Sequence, residues 1–176
     1  MDKKLFHIAW IGTVVILLIG GIAIGIRSGD VTVYDREYVW STEPGAEGEP
    51  MRLVRGRMVQ SIQQDKNKLV FAFNKTFGDA EALNLQEGES KLELPKLMIQ
   101  GHERTTVRVQ VENSGYLTQR MGSAGAQDFL AAATYTMTEC PVITAVDFNF
   151  PQGDHAAPGI YTRMSFTEYK TVYTRK

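Results

Sequence analysis

The chain begins with an apolar segment that limits what the rest of it can be. Leu5 to Ile26 spans 22 residues, and none of their side chains carries a full charge. A helix of that length rises about 33 Å, which matches the roughly 30 Å thickness of a bilayer's hydrocarbon core. We therefore predict a transmembrane helix over this segment. Residues 1–27 would form the anchor, and residues 28–176 have the length of one folded domain.

The residues that flank this segment indicate its orientation. Lys3 and Lys4 precede it, whereas one basic and one acidic residue follow it. Because cytoplasmic flanks of membrane helices are enriched in Lys and Arg, we expect a cytoplasmic N-terminus and a domain outside the cytoplasm. A cleaved signal peptide is the alternative, although its apolar core usually spans only about 7 to 15 residues.

Composition excludes some partners. The chain carries 19 basic and 20 acidic side chains, a net charge of −1, and no basic cluster that predicts nucleic acid binding. Cys140 is the single cysteine of the sequence, so no internal disulfide is expected and the domain must depend on its hydrophobic core. We interpret Cys140 as a small core residue.

The sequence of the first half of the domain predicts strands, a loop and a short helix. Alternation over Asp30 to Asp35 predicts a strand, which Tyr38 to Trp40 extends. The Pro, Gly and Glu residues of Ser41 to Pro50 predict an exposed loop. Further predictions are a strand over Met51 to Ile62, a buried strand over Leu69 to Phe73, a short helix over Ala80 to Gln86, and no central strand around Pro95.

The second half is clearer. Thr105 to Glu112 places its valines on one face and predicts a strand, and Asn113 to Gly115 predicts a turn. Ser123 is the expected N-cap of a helix that ends before Pro141. A strand over Val142 to Phe150 follows, and the last segment, Ile160 to Tyr173, predicts a closing strand or hairpin. These elements predict an α+β fold, a small antiparallel or mixed sheet with a helix on one face.

Residues 105–150 also resemble a known family. The strand that ends in a turn, the Gly122 to Ala126 helix entry, and the Tyr135 to Pro141 exit leading to Val146-Asp147-Phe148 resemble the C-terminal half of the GerMN domain of sporulation and germination proteins. The resemblance implies an extracytoplasmic α+β module, similar to ring-building domains, that works by lateral packing of copies or partners. It brings no catalytic residue.

The search for chemistry yields no catalytic, cofactor-binding or metal-binding residue. His7, His102 and His155 lack a second ligand at metal-like spacing, and no strained serine elbow or Ser-x-x-Lys motif is present. The Gly21-x-x-x-Gly25 spacing would let two anchor helices pack closely, although glycine is common in such helices anyway. We therefore expect a protein that is not an enzyme and has no cofactor.

Two functions remain open. The first is a single-pass membrane module that contacts other envelope proteins or copies of itself in sporulation, germination or a related assembly. The second is a domain that binds cell-wall glycan or a small ligand, which a concave surface lined by Trp40 and several tyrosines would favour.

Overall fold

A computed structural model describes the backbone of residues 23–27, 30–62, 66–84 and 93–173, and the side chains of residues 37–59, 66–79 and 93–173. The fold is α+β, as the sequence predicts. Its strands and helices, in chain order, are β1 (Ala23–Arg27), β2 (Asp30–Glu43), β3 (Arg52–Ile62), α1 (Lys66–Asn84), β4 (Lys96–Glu103), β5 (Thr106–Glu112), α2 (Ser114–Gln119), α3 (Gly122–Met137), β6 (Ala145–Asn149), β7 (Gly159–Tyr161), a 3-10 turn (Arg163–Phe166) and β8 (Lys170–Tyr173).

The chain divides into two compact units. The first comprises Met1–Arg36 with Gln60–Gln64, and the second comprises Glu37–Val59 with Asp65–Lys176. In the first unit, β1 pairs antiparallel with the start of β2, from Ala23 opposite Tyr34 to Arg27 opposite Asp30. Strands β2 and β3 have residues in both units and belong to a four-stranded sheet of order β1-β2-β3-β8.

The predicted membrane span meets the described structure only at its end. Residues 5–22 lie outside the described residues, whereas Ala23 to Ile26 belong to strand β1 and therefore do not continue a helix there. Within the described ranges, no helix is both long and apolar enough to cross a bilayer.

A second four-stranded sheet, of order β4-β5-β6-β7, lies in the second unit. Strand β5 pairs antiparallel with β4 and parallel with β6, and β7 pairs antiparallel with β6. The parallel pair requires a crossover, which α2 and α3 supply. The predicted alternation is confirmed, because Val107, Val109 and Val111 are buried whereas Arg108 and Glu112 are exposed.

Helix α3 packs its small residues against this sheet. Ala126, Phe129, Leu130, Ala133 and Met137 are buried at helical spacing, as predicted, and belong to one core with the valines of β5 and with Phe148 of β6. Cys140 lies in the same core. The helix begins earlier than predicted, because Met121 is the N-cap residue and makes no side-chain cap hydrogen bond. Ser123 instead lies inside the first turn.

The prediction of a buried strand over Leu69 to Phe73 is wrong. These residues belong to α1, in which Leu69 and Phe73 are buried while Phe71 is 72% exposed. Five apolar residues fit a strand or a helix equally well, and the helical period becomes visible only when the window includes Phe77, which packs partly buried against the core. The predicted short helix from Ala80 is the end of this longer one, as far as Asn84.

The C-terminal segment does not form the predicted single strand or hairpin. Strand β7 joins the sheet of β4 to β6, whereas β8 pairs parallel with Arg52 to Arg55 of β3 in the other sheet. The 3-10 turn lies between them and buries Phe166. Pro95 fits its prediction, because it immediately precedes β4, an edge strand.

A candidate binding cleft and a buried charge cluster

The second unit contains a cleft of about 400 Å³ between β2, α1, α2 and α3. The cleft combines aromatic rings, two methionines, hydroxyl groups and two charged side chains. Its lining residues are Trp40, Ser41, Thr42, Met51, Phe73, Thr76, Phe77, Tyr116, Arg120, Met121, Gly125, Asp128, Phe129 and Ala132. Ligand pockets in proteins typically enclose about 300 to 1,000 Å³, so the cleft has room for a small molecule or one large side chain.

Three phenylalanines form its aromatic wall. Helix α1 presents Phe73 and Phe77 one helical turn apart, with ring centroids 6.2 Å from each other and nearly parallel. Phe129 of α3 meets Phe77 edge-on at 4.9 Å and Phe73 at 5.5 Å. Edge-to-face packing stabilises such pairs beyond the burial of their area. The wall is therefore fixed by two helices.

Asp128 is the acidic residue of the cleft. It lies one position before Phe129 on α3, and its Oδ1 accepts a hydrogen bond of 2.6 Å from the Tyr169 hydroxyl. Burial raises the pKa of Asp128, and the Tyr169 hydrogen bond offsets this only partly. Among the described side chains, the ion pairs are Arg52 with Glu43, Arg55 and Arg163 with Glu139, and Arg108 with Asp147, so none of them includes Asp128.

Met121 and Gly125 form a part of the cleft that can adapt. A Cβ atom on Gly125 would lie 2.9 Å from Met121 Cγ and would meet no other side chain or backbone group as closely. Because methionine is flexible, a larger residue at position 125 can displace Met121 at low cost. The exposed Arg120 lies next to Met121 and adds a cation to the lining.

A buried charge cluster adjoins the cleft through Trp40, which belongs to both. We call Trp40, Arg55, Glu139 and Arg163 the Glu139 cluster. The Glu139 side chain is 6% exposed and accepts hydrogen bonds from Trp40 Nε1 at 2.9 Å, from Arg55 at 2.5 Å and from Arg163 at 3.3 Å. Charge-assisted hydrogen bonds of this kind are stronger than neutral ones. The cluster fastens the end of α3 to β2, β3 and the 3-10 turn.

Aromatic rings enclose the two arginines of the cluster. The Arg55 guanidinium lies 3.7 Å from the centroid of the Tyr38 ring, and that of Arg163 lies 4.8 Å from the centroid of the Tyr135 ring. Cations at these distances are attracted to the ring face. Both carboxylate oxygens of Glu139 accept hydrogen bonds from members of the cluster, which indicates a structural role.

The concave surface that would favour the second function is present in part. Trp40 and one tyrosine, Tyr116, line the cleft, and phenylalanines supply the remaining rings. Tyr135 and Tyr173 instead contact Trp40 outside the cleft, with ring centroids 5.1 and 5.5 Å away. Sequence reasoning did not find Asp128 or Glu139. A negative charge near a helix C-terminus interacts unfavourably with the helix macrodipole. The position of Glu139 after the predicted helix could therefore have indicated a cationic partner.

The structure brings one further pair together. Ser123 Oγ lies 3.2 Å from His155 Nδ1, because the His155 backbone N–H donates to the Thr118 carbonyl at 3.1 Å and holds the loop against α2. Ser123 is exposed and His155 is partly exposed, and among the described side chains no carboxylate contacts the imidazole. His102 lies on β4. Within the described ranges, no three His, Cys, Asp or Glu side chains are placed to hold a metal ion.

Fold and cleft together define a small α+β domain with a partly apolar cleft. Comparison with family models, curated proteins and solved structures finds no match to this chain.

Proposed function

We propose that the chain is a non-enzymatic, single-pass membrane module, with its domain outside the cytoplasm, that acts by protein–protein contacts. Its GerMN-like sequence pattern supports a setting in sporulation, germination or a related envelope assembly, with other envelope proteins or copies of itself as partners. The observation that carries the proposal is an apolar, exposed edge at β7.

Strand β7 is the last strand of its sheet and pairs, in the part of the chain that the structure describes, with β6 alone. Ile160 on this strand is 66% exposed, and Met164 in the turn that follows is 78% exposed. Edge strands present backbone groups that can pair with a strand of another chain, and apolar side chains beside them add buried area. We call Ile160, Met164 and the β7 backbone the β7 edge.

The opposite edge of the sheet is protected at one point. Asn74 of α1 accepts a hydrogen bond from the Leu97 N–H and donates one to the Leu97 carbonyl, both at 2.9 Å. The side-chain amide thus occupies the backbone groups of β4 that a neighbouring strand would use. Natural proteins block edges in comparable ways, and the contrast favours β7 as the contact edge.

The proposal is tested by placing a photo-crosslinking residue at Ile160 in the full-length chain, in membranes of the source organism. We expect a discrete crosslinked protein, either a second copy or a partner, and a matching increase in size after mild solubilisation. Val142, which is 47% exposed and precedes β6, is the matched control position. A monomer without any crosslinked protein, or equal crosslinking from both positions, would contradict the proposal.

The proposed role in sporulation or germination requires its own test. Deleting the gene and counting heat-resistant, germinating spores examines the sporulation proposal, provided that the source organism forms spores. An unchanged count would remove the sporulation setting and leave the contact function at the β7 edge to be judged by crosslinking.

The cleft favours a second candidate function, the binding of a small ligand. Its volume, its phenylalanine wall and its half-buried carboxylate match the usual composition of ligand sites, in which apolar walls surround a few oriented polar groups. Thermal unfolding of the full-length chain with and without candidate ligands examines this function, because a ligand that binds the folded state raises the unfolding midpoint.

A further inference from the structure

The chemistry of the cleft is asymmetric, because an aromatic wall faces a single half-buried carboxylate. We propose that the cleft binds a primary amine carried on a short apolar or aromatic stem, with the ammonium group at Asp128. This inference rests on the second candidate function, that the cleft holds a small ligand. It adds the chemical class of that ligand and the residue that recognises it.

Asp128 is suited to an ammonium group. Its Oδ1 already accepts the Tyr169 hydrogen bond, which fixes the orientation of the carboxylate on α3. An ionised carboxylate offers two oxygens with about four acceptor positions, so one hydrogen bond leaves capacity for a ligand. No described basic side chain lies within ion-pair distance of it. An ammonium group supplies both the missing charge and three donors.

The wall is suited to the stem. Phe73, Phe77 and Phe129 form a packed aromatic surface that lines the same cleft as Asp128. Removing a stem from water against these rings contributes favourably in proportion to the apolar area buried. Aromatic rings near a cation add an electrostatic attraction.

Arg120 is the feature that would favour an anion instead. Its side chain is exposed, so its charge is screened by water and salt, whereas Asp128 is partly desolvated and its charge is screened less. An anionic ligand in the cleft would also be placed beside the Asp128 carboxylate. The screening of Arg120 and the repulsion by Asp128 both favour a cationic ligand over an anionic one.

Three probes of nearly equal size separate these possibilities: 2-phenylethylamine, 2-phenylethanol and 3-phenylpropanoate. Binding to the full-length chain in mild detergent is measured by titration calorimetry. We expect the amine to bind about tenfold or more tightly than the alcohol, as hydrogen bonds to charged groups exceed neutral ones. The carboxylate is expected to bind weakest.

Three variants identify the site. Asp128→Asn keeps the shape and an acceptor for Tyr169, and it should remove the preference for the amine over the alcohol. Asp147→Asn changes a carboxylate outside the cleft and should leave that preference intact. Gly125→Leu adds a side chain to the cleft lining, and its Cβ would press only on the flexible Met121 side chain, so it should abolish binding of every probe without lowering the unfolding midpoint.

The same amine could belong to a free small molecule or to a lysine of a protein. Adding the blocked dipeptide N-acetyl-Phe-Lys-amide distinguishes these sources, because tighter binding of the dipeptide than of 2-phenylethylamine assigns the cleft to a lysine side chain, and the reverse assigns it to a free amine.

Two results would overturn the inference. If 3-phenylpropanoate binds as tightly as the amine, or if Asp128→Asn keeps the amine preference, the ligand is not recognised as a cation, although the cleft remains a small-ligand site. If no probe binds more tightly to the parent chain than to Gly125→Leu, both the inference and the second candidate function fail.

Discussion

Replacing Glu139 by glutamine tests whether one buried carboxylate attaches the end of α3 to the strands around it. Glutamine has nearly the same shape and can still accept the Trp40 Nε1 hydrogen bond, but it removes the charge that both Arg55 and Arg163 contact. The two guanidinium groups would then face each other's charge without a carboxylate between them. We expect the folded state to lose stability.

The size of the stability loss depends on how far the cluster is shielded from water. Removing one partner of a buried ion pair costs about 3 to 5 kcal/mol, because the other charge stays buried and unpaired. The side chains of Arg55 and Arg163 are 28% and 34% exposed, so water can partly replace the lost partner. We therefore expect a loss of about 2 to 3 kcal/mol for Glu139→Gln, at or below the lower limit of that range.

Urea unfolding measured by fluorescence checks this value. The sequence has two tryptophans, so a Trp10→Phe background leaves Trp40, a member of the cluster, as the only reporter. With a urea slope of about 1 to 3 kcal/mol per molar, the midpoint should fall by about 0.7 to 3 M.

The matched control is Asp147→Asn. It removes the carboxylate from the exposed ion pair with Arg108, in which the two side chains are 58% and 30% exposed for Arg108 and Asp147. Exposed pairs typically contribute about 0.2 to 1 kcal/mol. If Glu139→Gln costs no more than Asp147→Asn, the Glu139 cluster does not hold the fold as argued.

Three further results are expected. Gly153→Ala should lower the unfolding midpoint, because its Cβ would lie 2.5 Å from a side-chain carbon of α2, whereas Gly115→Ala has open space and should not. Asn74→Ala should cost about 1 to 3 kcal/mol by unpairing the β4 backbone, and light scattering should show more self-association unless that edge is covered otherwise. Asp128 has its pKa raised by burial above the ordinary 3.8, so folding favours its protonated form and stability falls as pH rises through this raised pKa. Asp128→Asn should lack that fall in urea midpoints measured across acidic to neutral pH, and an identical pH profile would refute the assignment.

Local sequence patterns were sufficient to predict the secondary structure from β5 to β6. The valines of β5 alternate over seven residues, and the apolar positions of α3 repeat over four turns, so each element is specified by residues within it. Their parallel pairing uses the helical crossover between them, whereas the sequence predicted only an antiparallel or mixed sheet. The helix start was less certain, since Gly122 and Ser123 both resemble a helix entry.

Local sequence patterns could not predict which distant strands pair with each other. Strand β8 pairs with β3 across more than a hundred residues, and nothing in the Thr, Tyr and Lys residues of β8 identifies that partner. The aromatic content of Ile160 to Tyr173 predicted strands correctly but not their assignment to two sheets. For the same reason the cleft, whose walls come from four separate elements, could be predicted only as a general concave surface around Trp40.

The β7 edge and the cleft are connected through one short segment of chain. Phe166 is buried between Tyr161 of β7, with ring centroids 5.8 Å apart, and Tyr169, with ring centroids 6.2 Å apart. Tyr169 in turn donates its hydroxyl proton to Asp128 in the cleft. A ligand that reorients Asp128 therefore acts on a residue packed against the turn that carries Met164. If both proposed functions hold, any effect of the ligand on partner affinity must be matched by an equal effect of the partner on ligand affinity, because coupling between two binding sites is reciprocal.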